Sequence, residues 1–142
     1  MAVKVELSEE IERPVDVVFR WYADDHVRNH PRWDPNIELW LDSEAPIGVG
    51  TIIRRRNSRS GAPVEGTMEV IEYEPNKALG MLTHDGPMEI SGRATFESVR
   101  AELTKLTFIV DLHGLDDSMA TPMTEAIRGS LRKIKELIEA ET

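Results

Sequence analysis

The hydrophobic period changes once along the second half of this chain, and that change limits the fold more than any other feature. From Pro35 to about Leu112 apolar residues recur every second position, the period of a half-buried strand. Ile37, Leu39 and Leu41 alternate with Glu38, Trp40 and Asp42, and Leu106, Phe108, Val110 and Leu112 alternate with Lys105, Thr107, Ile109 and Asp111. Between these runs lie strands predicted at 51–58, 64–73, 77–83 and 88–99. They are separated by the turn residues Ser60-Gly61-Ala62-Pro63, Glu74-Pro75-Asn76 and Asp85-Gly86-Pro87. Connections this short join antiparallel hairpins. From about Ser118 to Glu141 the period becomes helical. Met123, Ile127, Leu131, Ile134 and Ile138 make one apolar stripe, and Pro122 suits the first turn.

Ahead of this region, Val3, Val5 and Leu7 alternate with Lys4, Glu6 and Ser8, predicting a first strand. Val15, Val18, Phe19 and Tyr22 then predict a helix from Pro14 to about Asp24. The stretch 25–35, interrupted by Pro31 and Pro35, reads as a short second helix or an irregular turn carrying Trp33. Seven strands with one apolar face need a cover, and the terminal helix is the one large element available. The expected architecture is α+β, a curved seven-stranded antiparallel sheet around that helix, with a concave apolar space between the two layers.

Composition narrows function by exclusion. The 142 residues suit one domain spanning 1–142, and with no cysteine the chain has neither disulfides nor thiolate chemistry. A net charge of −9 argues against binding phosphate backbones or anionic bilayers. No apolar run is long enough for stable membrane insertion, and no signal peptide is evident, so a cytoplasmic location is expected. No phosphate loop, dinucleotide fingerprint or nucleophile motif is present, and no cofactor is expected.

The run from Ile11 through Arg13-Pro14-Val15-Asp16-Val17-Val18-Phe19 to Asp24, followed by Pro31-Arg32-Trp33-Asp34-Pro35, resembles the opening of the START-like superfamily. More narrowly it resembles the polyketide cyclase/dehydrase and lipid-transport group. Val70 to Leu79 is similar to that group's strand-turn-strand motif. The resemblance covers essentially the whole chain. It implies a helix-grip fold enclosing a hydrophobic cavity, in a superfamily whose members bind lipids, sterols, quinones, plant hormones or polyketide intermediates, some of them as cyclases.

Against that background the candidate cavity lining is Tyr22, Trp33, Met68, Met88, Phe96, Phe108, Met119 and Met123. Methionine offers an adaptable apolar wall, or else fills gaps in the core. Trp33, in the segment resembling the family's cavity entrance, offers a flat face and one N–H donor, or else plugs the helix against the sheet. Arg54-Arg55-Arg56 lies in a strand, so at least one guanidinium faces inward. Arg55, in phase with Ile53, is a candidate anchor for an acidic head group, although the trio also reads as surface charge. His26 and His30 have helical ligand spacing, but Pro31 argues against it; a solvated turn is expected, and no metal site. His84 and His113 are candidate acid/base groups that also read as surface residues. Trp40, opposite in phase to Ile37, Leu39 and Leu41, marks a candidate homodimer or partner contact.

The expected function is binding of a small hydrophobic or amphipathic molecule, lipid, quinone or polyketide-like. The alternatives are a polyketide cyclase or dehydratase, with His84 or an inward arginine handling protons, and a protein-binding module without a ligand.

Overall fold

The computed structural model describes residues 3–42, 45–59, 61–113, 118 and 120–142. Strand β1 (Val3–Ile11) leads into α1 (Val15–Phe19), a π-helical turn (Arg20–Asp24) and α2 (His26–Trp33). Six strands follow: β2 (Ile37–Leu41), β3 (Ile52–Asn57), β4 (Val64–Glu74), β5 (Ala78–Asp85), β6 (Met88–Arg100) and β7 (Leu103–His113). Helix α3 (Ala120–Glu141) ends the chain. The strands form one antiparallel sheet in the order β1-β7-β6-β5-β4-β3-β2. This is the helix-grip architecture expected from the two periods.

The topology explains where the short helices lie. Strands β2 to β7 are a run of hairpins, so β1 and β2 stand at opposite edges of the sheet. Whatever joins them must cross from one edge to the other, and α1, the π-turn and α2 make that crossing at one end of the concave face. Helix α3 lays Ile127, Leu131, Ile134 and Ile138 against the same face, as its apolar stripe requires.

The C-terminal end of α3 is fastened by polar contacts. The Glu141 carboxylate accepts from the Trp21 indole N–H (3.1 Å) and pairs with Arg32, which holds its carboxyl down at a pKa of about 2. Glu139 accepts from the Glu12 backbone N–H (2.9 Å) and pairs with Lys135 (2.6 Å). Acidic side chains at a helix C-terminus oppose its dipole, so Arg32 and Lys135 offset a local cost. Arg32 also ties α3 to α2, and Lys135, donating to the Glu10 carbonyl (2.8 Å), ties α3 to β1.

Segment 25–35 is helical through Pro31, which stands inside α2. The irregularity falls earlier, where Asp25 N–H reaches the Arg20 carbonyl across five residues (3.0 Å). The widened turn buries Trp21, Tyr22 and Ala23. Side chains satisfy its carbonyls: the Asn29 amide donates to Trp21 O (2.7 Å) and the His26 ring to Tyr22 O (2.9 Å).

Candidate functional site

A cavity of about 190 Å³ lies between the sheet and the N-terminal half of α3, with the π-turn and α2 at its end. Its position follows from residue size. The fully buried Ile134 and Ile138 close the C-terminal half of the helix against the sheet. Opposite Ile127 and Ser130 the sheet offers Thr83, Gly92 and Ala94 in place of large side chains. A Cβ built on Gly92 meets nothing within 4 Å, so that glycine leaves the middle of the wall open. Met68, Leu79, Met81, Ile90, Phe108 and Val110 supply the apolar remainder.

The mouth is aromatic. Trp33 stacks on Tyr22 (5.4 Å between centroids, 17° between planes) and on His30 (4.7 Å, 10°). Tyr22 in turn packs on Phe108 (5.4 Å). Trp33 also borders a second, outer hollow of about 330 Å³ with Met123, Ile127 and Ser130. Asp34 and Arg59, paired with each other, stand at its edge. The two spaces share Trp33, Asp34, Ile127 and Ser130, so the outer hollow adjoins the inner one across these residues.

The expected residues separate into groups. Tyr22, Trp33, Arg55, Met68 and Phe108 line the inner cavity. Met123 belongs to the outer hollow. Phe96 lies deeper, packed edge-on against Phe19 (5.0 Å) and behind Tyr22 (5.9 Å). Met88 is corrected: it has the inward parity of Ile90 but sits at the tip of the β5–β6 hairpin and is exposed. Met119 and the side chain of His113 lie outside the described residues.

Arg55 faces inward, as the alternation of β3 requires, with Arg54 and Arg56 on the opposite face. Its fork is already filled. Nε and one terminal nitrogen donate to the two oxygens of Asp85 at 2.8 and 2.9 Å, and Asn57 donates to the same carboxylate (3.1 Å). Arg55 and Asp85 are two strands apart, each opposite Gly66 on the strand between them. A Cβ on Gly66 would lie 1.9 Å from the His84 carbonyl oxygen and 2.8 Å from Asp85 Oδ1. The ion pair therefore passes over the one residue type with nothing to block it. A buried arginine in this wall is balanced by the protein's own carboxylate and leaves no net charge for an acidic ligand.

His26 and His30 do not form a solvated turn. His26 is buried at 1% exposure and His30 half-buried, and both line the cavity. Their rings meet, His26 Nε2 to His30 Nδ1, at 3.0 Å. Burial, the larger cause, and the nearby Arg55 charge push the His26 pKa down to about 4. Burial, His26 and the cations Arg55 and Arg59 hold His30 well below its ordinary value. The pair is neutral at pH 7. Among the described residues no group of three or more His, Asp or Glu side chains is placed to hold a metal. The spacing of four was visible in the sequence; the burial was not, because it depends on the π-turn.

The remaining candidates lie elsewhere. His84 is half-exposed on the outer face beside Glu89 (3.3 Å). Trp40 is half-buried beneath the guanidinium groups of Arg54 and Arg56, at 5.3 and 5.8 Å from its ring.

The chain matches, over residues 2–139, the family model described as polyketide cyclase / dehydrase and lipid transport. It belongs to that family. Solved structures are similar along the whole length. A START superfamily protein from Mycobacterium smegmatis is 15% identical with a TM-score of 0.80, covering 98% of this chain and 99% of that one. Ara h 8.0201 is 13% identical (TM-score 0.77; 99% and 100%), and the Zhui aromatase/cyclase from a Streptomyces species 15% (0.72; 98% and 94%). At such identities the likeness shows the family's fold alone. No curated protein matches the chain in sequence. Among the described residues, no helix is long and apolar enough to cross a membrane.

Proposed function

We propose that this chain is a binding protein for a small, uncharged, mostly apolar molecule of one or two rings, held between the sheet and α3. The observation that carries this reading is a cavity of about 190 Å³ with an apolar wall, left open by Thr83, Gly92 and Ala94. Size limits the ligand. An apolar cavity of about 150 Å³ accepts benzene, whereas sites for larger ligands run from about 300 to 1,000 Å³. A fused four-ring sterol or an unfolded polyketide chain exceeds this inner space. Charge limits it too, because Arg55 is matched by Asp85, Arg59 by Asp34, and the histidine pair is neutral.

One observation favours a cyclase- or dehydratase-type enzyme instead: titratable rings face the cavity. An imidazole with a pKa near 4 is, however, a weak base at neutral pH, since proton transfer is most effective when the catalytic pKa lies near the working pH. Carriage of an unchanged ligand fits these rings better.

Titration of intrinsic tryptophan fluorescence with one- and two-ring aromatics, quinones, sterols and fatty acids tests both readings. Saturable quenching by the small aromatic compounds, much reduced in Trp33→Phe, is the expected result. Mass spectra of the recovered ligand should show it unchanged. Tight binding confined to sterols or long fatty acids contradicts the proposed ligand class, and a new product contradicts simple carriage.

A further inference from the structure

The hydrogen bonds of the histidine pair run in one direction. The Tyr22 carbonyl can only accept, so the His26 Nδ1 that meets it at 2.9 Å carries a proton. In the neutral ring the other nitrogen, Nε2, is then bare and accepts. Its partner at 3.0 Å, His30 Nδ1, must therefore carry a proton, which leaves His30 Nε2 bare as well. The origin of this order is the carbonyl exposed by the π-turn, and its end is a lone pair on His30, a residue of the cavity lining. No described residue donates to His30 Nε2.

We propose that His30 Nε2 is the group that reads the ligand, and that it selects molecules presenting a hydroxyl donor on a flat ring, in the manner of a phenol, over equally shaped molecules that can only accept. The flat ring is argued from the stacked Tyr22 and Trp33 beside it. The donor is argued from the tautomer chain. An acceptor that the bound ligand shuts off from water and leaves unmatched, as an ether or a hydrocarbon does, loses a hydrogen bond, which separates otherwise equal ligands by roughly three- to tenfold. This inference rests on the binding function proposed above, and it adds the chemistry of the ligand and the residue that recognises it.

The test uses calorimetry with 4-propylphenol and its methyl ether, 4-propylanisole, on the wild-type protein and on His30→Phe, which keeps a ring against Trp33 but has no acceptor. The expected result is a phenol-to-ether affinity ratio that falls about three- to tenfold in the variant. Nitrogen-15 spectra of the wild-type imidazoles give a second reading that needs no variant. Both rings should be protonated at Nδ1, with the bare His30 Nε2 signal moving when phenol is added. An unchanged ratio, or a His30 ring protonated at Nε2, overturns the proposal while binding of both compounds leaves the cavity function standing. Failure of both compounds to bind the folded wild-type protein overturns the two together.

Discussion

Gly66 is the residue that lets a cation be buried in this sheet. Arg55 and Asp85 reach each other across β4 because nothing projects from it there, and the pair then fills its own hydrogen bonds. Breaking a buried pair from one side leaves a charge that the interior cannot solvate, at a cost of about 3–5 kcal/mol, whereas replacing both partners with apolar groups costs far less. Arg55→Met and Asp85→Leu alone are each expected to lower the urea midpoint steeply, and the double variant to recover most of the loss. Additive losses in the double variant would mean that the two side chains do not depend on each other. The inward direction of Arg55 was legible in the sequence from its phase with Ile53. Its partner was not, because Asp85 lies 30 positions away and only the registers of β3, β4 and β5 bring the two together.

Among the elements, the π-turn has the widest consequences. It buries Tyr22 in the cavity wall, presents a carbonyl to His26 and sets the direction of the histidine pair. Helical spacing made a helix over 14–24 readable, but one extra residue in a turn leaves no periodic trace, so His26 and His30 read as surface residues. Pro31 misled for a related reason. It disfavours helix at His30, yet α2 packs against the sheet edge and α3 and continues through it, tertiary contact outweighing local preference. Burial of neutral His26 makes stability depend on pH. The folded ring binds a proton only near pH 4, while the unfolded ring binds one near 6.5. Below 6.5 the unfolded state takes up protons that the folded state refuses, so stability falls with pH, by about 2 kcal/mol between pH 7 and pH 5. Urea unfolding across that range should show the slope in the wild type and a shallower one in His26→Gln. A wild-type stability that does not change from pH 7 to pH 5 would contradict the neutral, buried pair.

At the scale of the whole molecule, two hydrophobic periods were enough to read the architecture. Period two repeated through short turns gave a hairpin sheet, and a single amphipathic helix gave its cover. The cavity was legible as a space between these layers but not in its extent. Its size depends on small residues at inward positions, Thr83, Gly92 and Ala94, and an absent side chain carries no hydrophobic signal. That is also why large inward residues were overcounted. Phe96 is part of the packed end and Met88 lies beyond the rim. The most direct test is therefore to close the space while leaving every polar and aromatic side chain of its lining in place. Gly92→Leu places a side chain where a Cβ meets nothing within 4 Å, and filling an apolar void adds buried surface. The measurement is calorimetric binding of a one-ring aromatic such as 4-propylphenol to the wild type and to Gly92→Leu, with thermal unfolding of both. The predicted result is saturable binding by the wild type, none by the variant, and a variant Tm at least as high. Undiminished binding by a folded Gly92→Leu would place the ligand elsewhere and contradict the account.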